Sequence, residues 1–191
     1  MDPSHLLKKF VRSFEKLDEM YVFKEIDEIA YSLRSGEQDE LGRWRWRVEE
    51  AITEREYLDA VYAKLPAPFP PLYEQLVLSY RWAKVDLQSF SLLANPPGSD
   101  LSGLRAQISH DKGLWDSLIP AGYIQFGSGP DMDYDPVCFE LKSRTNKKDY
   151  RIVKIDHEQI LCNWRVKVVA EVAPNFEQLV LQTIERANDV K

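Results

Sequence analysis

Apolar residues recur at helical spacing through the first third of the chain. Leu6, Leu7, Phe10, Phe14 and Leu17 form one stripe over residues 4–19, with Ser4 placed to cap it. Val22, Ile26, Ile29 and Leu33 predict a second helix, ended by Ser35-Gly36. A third stripe (Leu41, Trp44, Val48, Ala51 or Ile52, Leu58, Tyr62) predicts a helix over about residues 39–63. Leu65-Pro66-Ala67-Pro68-Phe69-Pro70-Pro71 then interrupts the pattern, because so many prolines cannot sit inside a helix. Pro70 or Pro71 suits the first turn of a new helix carrying Leu72, Tyr73, Leu76, Val77 and Tyr80.

Beyond residue 84 the period changes from helical to two. Val85–Ala94 reads as a strand, and Asn95-Pro96-Pro97-Gly98 as a turn. Ser99 or Asp100 caps a helix with Leu101, Leu104 and Ile108. A short helix with Leu114, Trp115, Leu118 and Ile119 stops at Pro120. Strands follow at 123–126, 137–141 and 150–155, the last placed inside the sheet by its apolar Ile152, Val153 and Ile155. Asp156 and Gln159 have capping-box spacing. Residues 164–170 read as a further strand, and Phe176, Leu179, Val180 and Ile184 give the closing helix a buried face.

These elements predict an α+β fold: one twisted, mostly antiparallel sheet backed by helices, with an all-helical N-terminal extension. The Pro-rich segment divides it into an extension, residues 1–63, and an α+β domain, residues 64–191. The 191 residues, 44% of them hydrophobic, suffice for a sizeable core. A net charge of −6 disfavours nucleic acid as the main partner and suits a basic one. No apolar run reaches the length of a membrane span, and residues 1–30 lack a secretory core, so a cytoplasmic protein is expected. Cys138 and Cys162 each lie in an apolar segment and are expected to be buried, reduced thiols.

Candidate chemistry thins out on inspection. Arg43-Trp44-Arg45-Trp46-Arg47 could stack on bases or meet a membrane. On a helix, however, the two Trp rings stand about 200° apart and make no platform. Trp44 is expected to pack inward while the arginines pair with Glu49, Glu50 and Glu54. Gly127-Ser128-Gly129 is not a nucleophile elbow, since Phe126 and Pro130 occupy the required glycine positions, and it lacks the lysine of a phosphate loop. Asp131, Asp133 and Asp135 resemble the start of a calcium loop, but Pro136 and Lys142 stand where Gly and Glu are needed. Asp156-His157-Glu158 are adjacent on a helix and diverge by about 100° each. His110 is expected at the surface. No catalytic residue, cofactor or metal ligand is assigned.

One electrostatic contrast survives. Asp131, Asp133, Asp135 and Glu140 crowd residues 131–140, whereas Lys142, Arg144, Lys147, Lys148, Arg151 and Lys154 crowd residues 142–154. Either both runs are solvated, or they form a bipolar docking surface that orients a partner. Gly127, Gly129, Pro130 and Pro136 would fix the loop on a rigid base, making Asp131, Asp133, Asp135 and Glu140 the expected partner-binding residues.

Three stretches resemble the SUKH superfamily, which includes cell-wall-synthesis regulators and bacterial toxin-immunity proteins. They are Leu65-Pro66 with Pro71-Leu72-Tyr73-Glu74-Gln75-Leu76, then Asp135 to Leu141, and finally Ile152 to Glu158 with Val172 to Leu179. The likeness covers roughly residues 64–187. Asn175 stands where the family usually has Ser, and the Gly-rich loop is short. The resemblance implies a non-enzymatic protein that binds and neutralises a cognate toxin, often a nuclease. A regulatory or scaffold module of the same fold, without a toxin, is the alternative.

Overall fold

The computed structural model describes residues 2–23, 31–98, 100–131, 133–144 and 149–190. Helix α1 (Pro3–Leu17) forms where the first stripe predicts it. Asp2 rather than Ser4 is its cap, accepting from the Ser4 N–H at 3.3 Å. Leu6, Leu7, Phe10, Phe14 and Leu17 are all buried.

The rest of the expected helical extension is different. Strands β1 (Tyr21–Phe23), β2 (Arg34–Gln38) and β3 (Arg43–Trp46) make a small antiparallel sheet in the order β1-β3-β2. The expected second helix is replaced at its ends by β1 and a 3-10 turn, Tyr31–Leu33; its Ile26 and Ile29 lie outside the described residues. The third is broken by a tight turn. Asp39 accepts from the Leu41 and Arg43 N–H groups, and Gly42 takes a φ of 78° that suits glycine. In a strand, Trp44 and Trp46 share one face; Trp46 is buried, and the Arg34 guanidinium lies 4.9 Å over Trp44. Arg43 pairs with Asp39 at 2.8 Å and not with the glutamates downstream. Strand β4 (Glu49–Glu50) follows, and only Tyr57–Tyr62 is helical (α2).

Helix α3 (Pro71–Ser79) starts on Pro71 at its first turn, after which come β5 (Tyr80–Arg81), paired with β4, and β6 (Val85–Asp86). The single strand expected over 85–94 is a hairpin of β6 and β7 (Ser91–Leu92). Gln88, at a φ of 66°, turns the chain with its N–H on Asp86. Helices α4 (Ser102–Ile108) and α5 (Lys112–Leu118) lead into β8 (Tyr123–Ser128), β9 (Pro136–Glu140) and β10 (Arg151–Ile155). Ser99 lies outside the described residues, and Asp100 accepts from the Ser102 N–H. Helix α6 (His157–Asn163), β11 (Val168–Ala173) and α7 (Phe176–Asp189) complete the chain, α6 capped by Asp156 and α7 by Asn175.

The main sheet is six-stranded and antiparallel in the order β11-β10-β9-β8-β7-β6, so β10 is interior, as its composition predicts. Period-two alternation divides its side chains between two cores. Ile124, Phe126, Phe139 and Ile152 pack with residues of α1, α3, α4 and α7; Tyr123, Cys138, Val153 and Ile155 pack with Leu114 and Leu118 of α5 and Ile160 of α6. Phe126 and Phe139 stack at 4.2 Å, with the Tyr73 and Phe176 rings against them at tilted or edge-on angles. Phe10 meets Phe176 at 6.3 Å, so α1 enters the same core as the α+β elements and the packing has no gap at residue 64. Among the described residues no helix is long and apolar enough to cross a membrane.

Candidate functional site

The loop between β8 and β9 carries Asp131, Asp133 and Asp135, and the fold folds it back on the start of α6. Glycine is required at its entrance: a Cβ on Gly129 would fall on the Asp133 side chain, and one on Gly127 would meet the Ser91 carbonyl and the Phe90 ring. The Gly129 N–H bonds the Asp135 carbonyl at 2.9 Å and closes the loop. Met132 lies outside the described residues.

Each aspartate has a different position. Asp131 is exposed at a φ of 52°, its N–H donating to Asp86 at 2.7 Å. Asp133 takes the Asp135 N–H at 2.9 Å on one oxygen and the Lys154 ammonium at 2.9 Å on the other. Partial burial raises its pKa, but the Asp135 N–H and then Lys154 outweigh that, and the net direction is down. Asp135 accepts the His157 N–H at 2.9 Å, contacts the His157 ring Nδ1 at 2.8 Å, and lies 3.8 Å from Lys154. It therefore places a carboxylate at the N-terminus of α6, where the helix dipole favours negative charge. Lys154, seated between the two carboxylates, offsets one of the loop's three negative charges.

Glu140 sits apart from the loop. It is 1% exposed on the face covered by α5 and α6. Arg151 reaches it with Nε at 2.7 Å and Nη2 at 2.6 Å, Lys142 at 3.2 Å, and the Tyr123 hydroxyl donates at 3.3 Å. Burial pushes its carboxyl up, yet the hydrogen bonds from Arg151 and Lys142 prevail and hold it below its ordinary value. The expected bipolar surface thus resolves differently. Arg151 and Lys154 of β10 pair with Glu140 and Asp133 of the acidic run, and Lys142 pairs with Glu140 two residues before it. Lys147 and Lys148 lie outside the described residues, and Arg144 is exposed.

A surface that the sequence pattern did not single out begins beside this loop. The Tyr134 ring, exposed, stands edge-on to His157 with centroids 6.0 Å apart. His157 and Leu161 stand at i and i+4 of α6, and Trp164 is the residue on which the helix ends. Leu161 is 53% exposed and Trp164 78%. Val168 and Val169 of edge strand β11 are also exposed. Bulges on either side of the Val153–Glu171 and Lys154–Ala170 pairs interrupt β11's ladder, a device that discourages edge-to-edge pairing.

Trp164 is not in a strand, as its β-branched neighbours suggested. It ends α6 in the left-handed conformation, φ 53° and ψ 31°, with its N–H on the Ile160 carbonyl and the Arg165 N–H on that of Gln159. Glycine is the usual residue there, and a bulky side chain with positive φ is an outlier. The sequence signal was present: Trp164 lies four residues from buried Ile160 in a segment without glycine.

The cysteines separate as well. Cys138 is fully buried, as expected, and burial pushes its thiol well up, whereas Cys162 is exposed on α6 where burial was expected. His110 lies between α4 and α5 at the surface, as expected. The chain matches no protein-family model, and no curated protein matches it.

Proposed function

We propose that this chain is an immunity-type binding protein of SUKH-like architecture that neutralises a toxin domain by covering its active or substrate surface. The observation that carries the reading is Trp164. An aromatic ring 78% exposed adds little to the core, and its left-handed backbone is one that glycine would hold with less strain. Trp and Tyr dominate binding hot spots because they bring large area with few rotatable bonds, and exposed Tyr134 stands beside His157 at the start of α6 while exposed Trp164 ends it. The groups that could do acid–base work are paired with one another instead: Asp133 with Lys154, Asp135 with His157, and Glu140 with Arg151.

The net charge of −6 favours a basic partner, and a nuclease domain is such a partner. Asp131, the exposed aspartate three residues before Tyr134 in the same loop, serves as a rim charge that speeds encounter. Asp133, Asp135 and Glu140 act indirectly, holding the loop and β9 in place. The chain works in the cytoplasm, where its thiols stay reduced. The test is co-expression with the effector domain encoded beside its gene. The expected result is restored growth and a co-purifying complex. Full toxicity in the presence of folded, abundant chain would overturn the proposal.

A further inference from the structure

Helix α1 turns its apolar stripe into the core and leaves Lys8, Lys9, Arg12 and Lys16 exposed. Lys9, Arg12 and Lys16, at i, i+3 and i+7, line a groove of about 380 Å³ whose other wall is Ile184 and Asn188 of α7. No lining residue is acidic. Lys16 Nζ lies 3.5 Å from the Asn188 side-chain oxygen, and among the described residues none of the three cations makes an ion pair. Arg43, Arg151 and Lys154, by contrast, are taken up by Asp39, Glu140 and Asp133. Glu15 and Glu50 line a separate hollow on the other flank of Arg12.

We infer that the α1/α7 groove docks an extended acidic segment of a protein partner. The three cations span about 10 Å of helix axis. Carboxylates at alternate positions of an extended chain repeat about every 6.8 Å, so two such groups fit that span. A membrane surface fits less well, because the apolar face that would insert is already in the core and the groove is concave. A nucleic acid, charged at every phosphate along its length, would continue past the groove onto the acidic remainder of the chain, whereas a short acidic segment ends within it. This inference does not rest on the toxin reading, since the groove is formed by α1 and α7 and the aromatic surface by α6.

The experiment is fluorescence anisotropy of a labelled twelve-residue peptide of alternating Glu and Ser, titrated with the full chain at low and moderate salt. Saturable one-to-one binding is expected at low salt, weakened at least tenfold by added salt. Lys9→Gln, Arg12→Gln and Lys16→Gln together should cost at least tenfold. The same charge change at exposed Lys64, Lys84 and Lys112 should leave binding unaltered, with circular dichroism showing both triple variants folded. Absence of binding at low salt, or equal loss in both triple variants, would overturn the inference. So would tighter binding of a single-stranded oligonucleotide of equal charge through the same three cations.

Discussion

Replacing Glu140 with Gln removes a buried charge while keeping the side chain's shape. In the native protein that carboxylate takes two short bonds from Arg151 and one from Lys142. Hydrogen bonds to charged groups contribute about 1.5–3 kcal/mol each, but Arg151 is 42% exposed and Lys142 73%, so water competes for both. Both cations also regain hydration in the variant. A loss of about 1–2 kcal/mol follows, or a fall in Tm of about 2–8 °C. Arg151→Gln should cost more, although Arg151 is the more exposed partner, because it leaves the buried carboxylate with only Lys142 and the Tyr123 hydroxyl. The sign of the pH effect is fixed by the depressed carboxyl of Glu140. Its contribution is present above the unfolded pKa of about 4.3 and is lost as pH falls through the folded value, so the gap between wild type and Glu140→Gln narrows in acid. Urea unfolding at neutral and acid pH measures all of this. A Glu140→Gln variant that loses more than Arg151→Gln, or a gap that widens in acid, would refute the reasoning.

Three further outcomes follow from the packing. Cys162 should react with a thiol reagent in the native protein while Cys138 stays protected until unfolding, read as one fast and one slow equivalent. A chain beginning at residue 64 should show no cooperative unfolding transition. It loses buried Leu6, Leu7, Phe10 and Phe14, worth about 6–12 kcal/mol together by area, against a typical total of about 5–15 kcal/mol. Gly129→Ala should lower Tm and lose the Asp133–Lys154 pair, detectable as a smaller effect of Lys154→Gln in that background than in wild type.

The α+β body was legible because its strands and helices have clean periods and its caps use ordinary chemistry: Asp156 on Gln159, Asn175 on Gln178 and Pro71 at a helix start. The N-terminal sheet was not, because Leu41, Trp44 and Val48 happen to fall at helical spacing. Leu41 is in fact 69% exposed, and the decisive signals were Gly36 and Gly42, both at positive φ. The acidic loop was found from composition alone. Its partners were not, since Asp135 and His157 are 22 residues apart and meet only when β9 and β10 pair. Charge runs adjacent in sequence looked like two surfaces, and antiparallel register turns them into ion pairs. Trp164 was missed because local composition favoured a strand, while the helix ends one residue before it.

Trp164→Gly is the most direct test of the claim that the exposed flank of α6 is a binding surface. Glycine relieves a left-handed cost of about 1–2 kcal/mol and loses about 0.5–1 kcal/mol to unfolded-chain entropy. The fold should therefore gain about 0–1.5 kcal/mol, since the exposed ring contributes little packing. Trp164→Gly should be at least as stable as wild type in urea, bind its toxin at least tenfold more weakly and no longer protect cells. A variant that keeps full affinity and protection would contradict that claim.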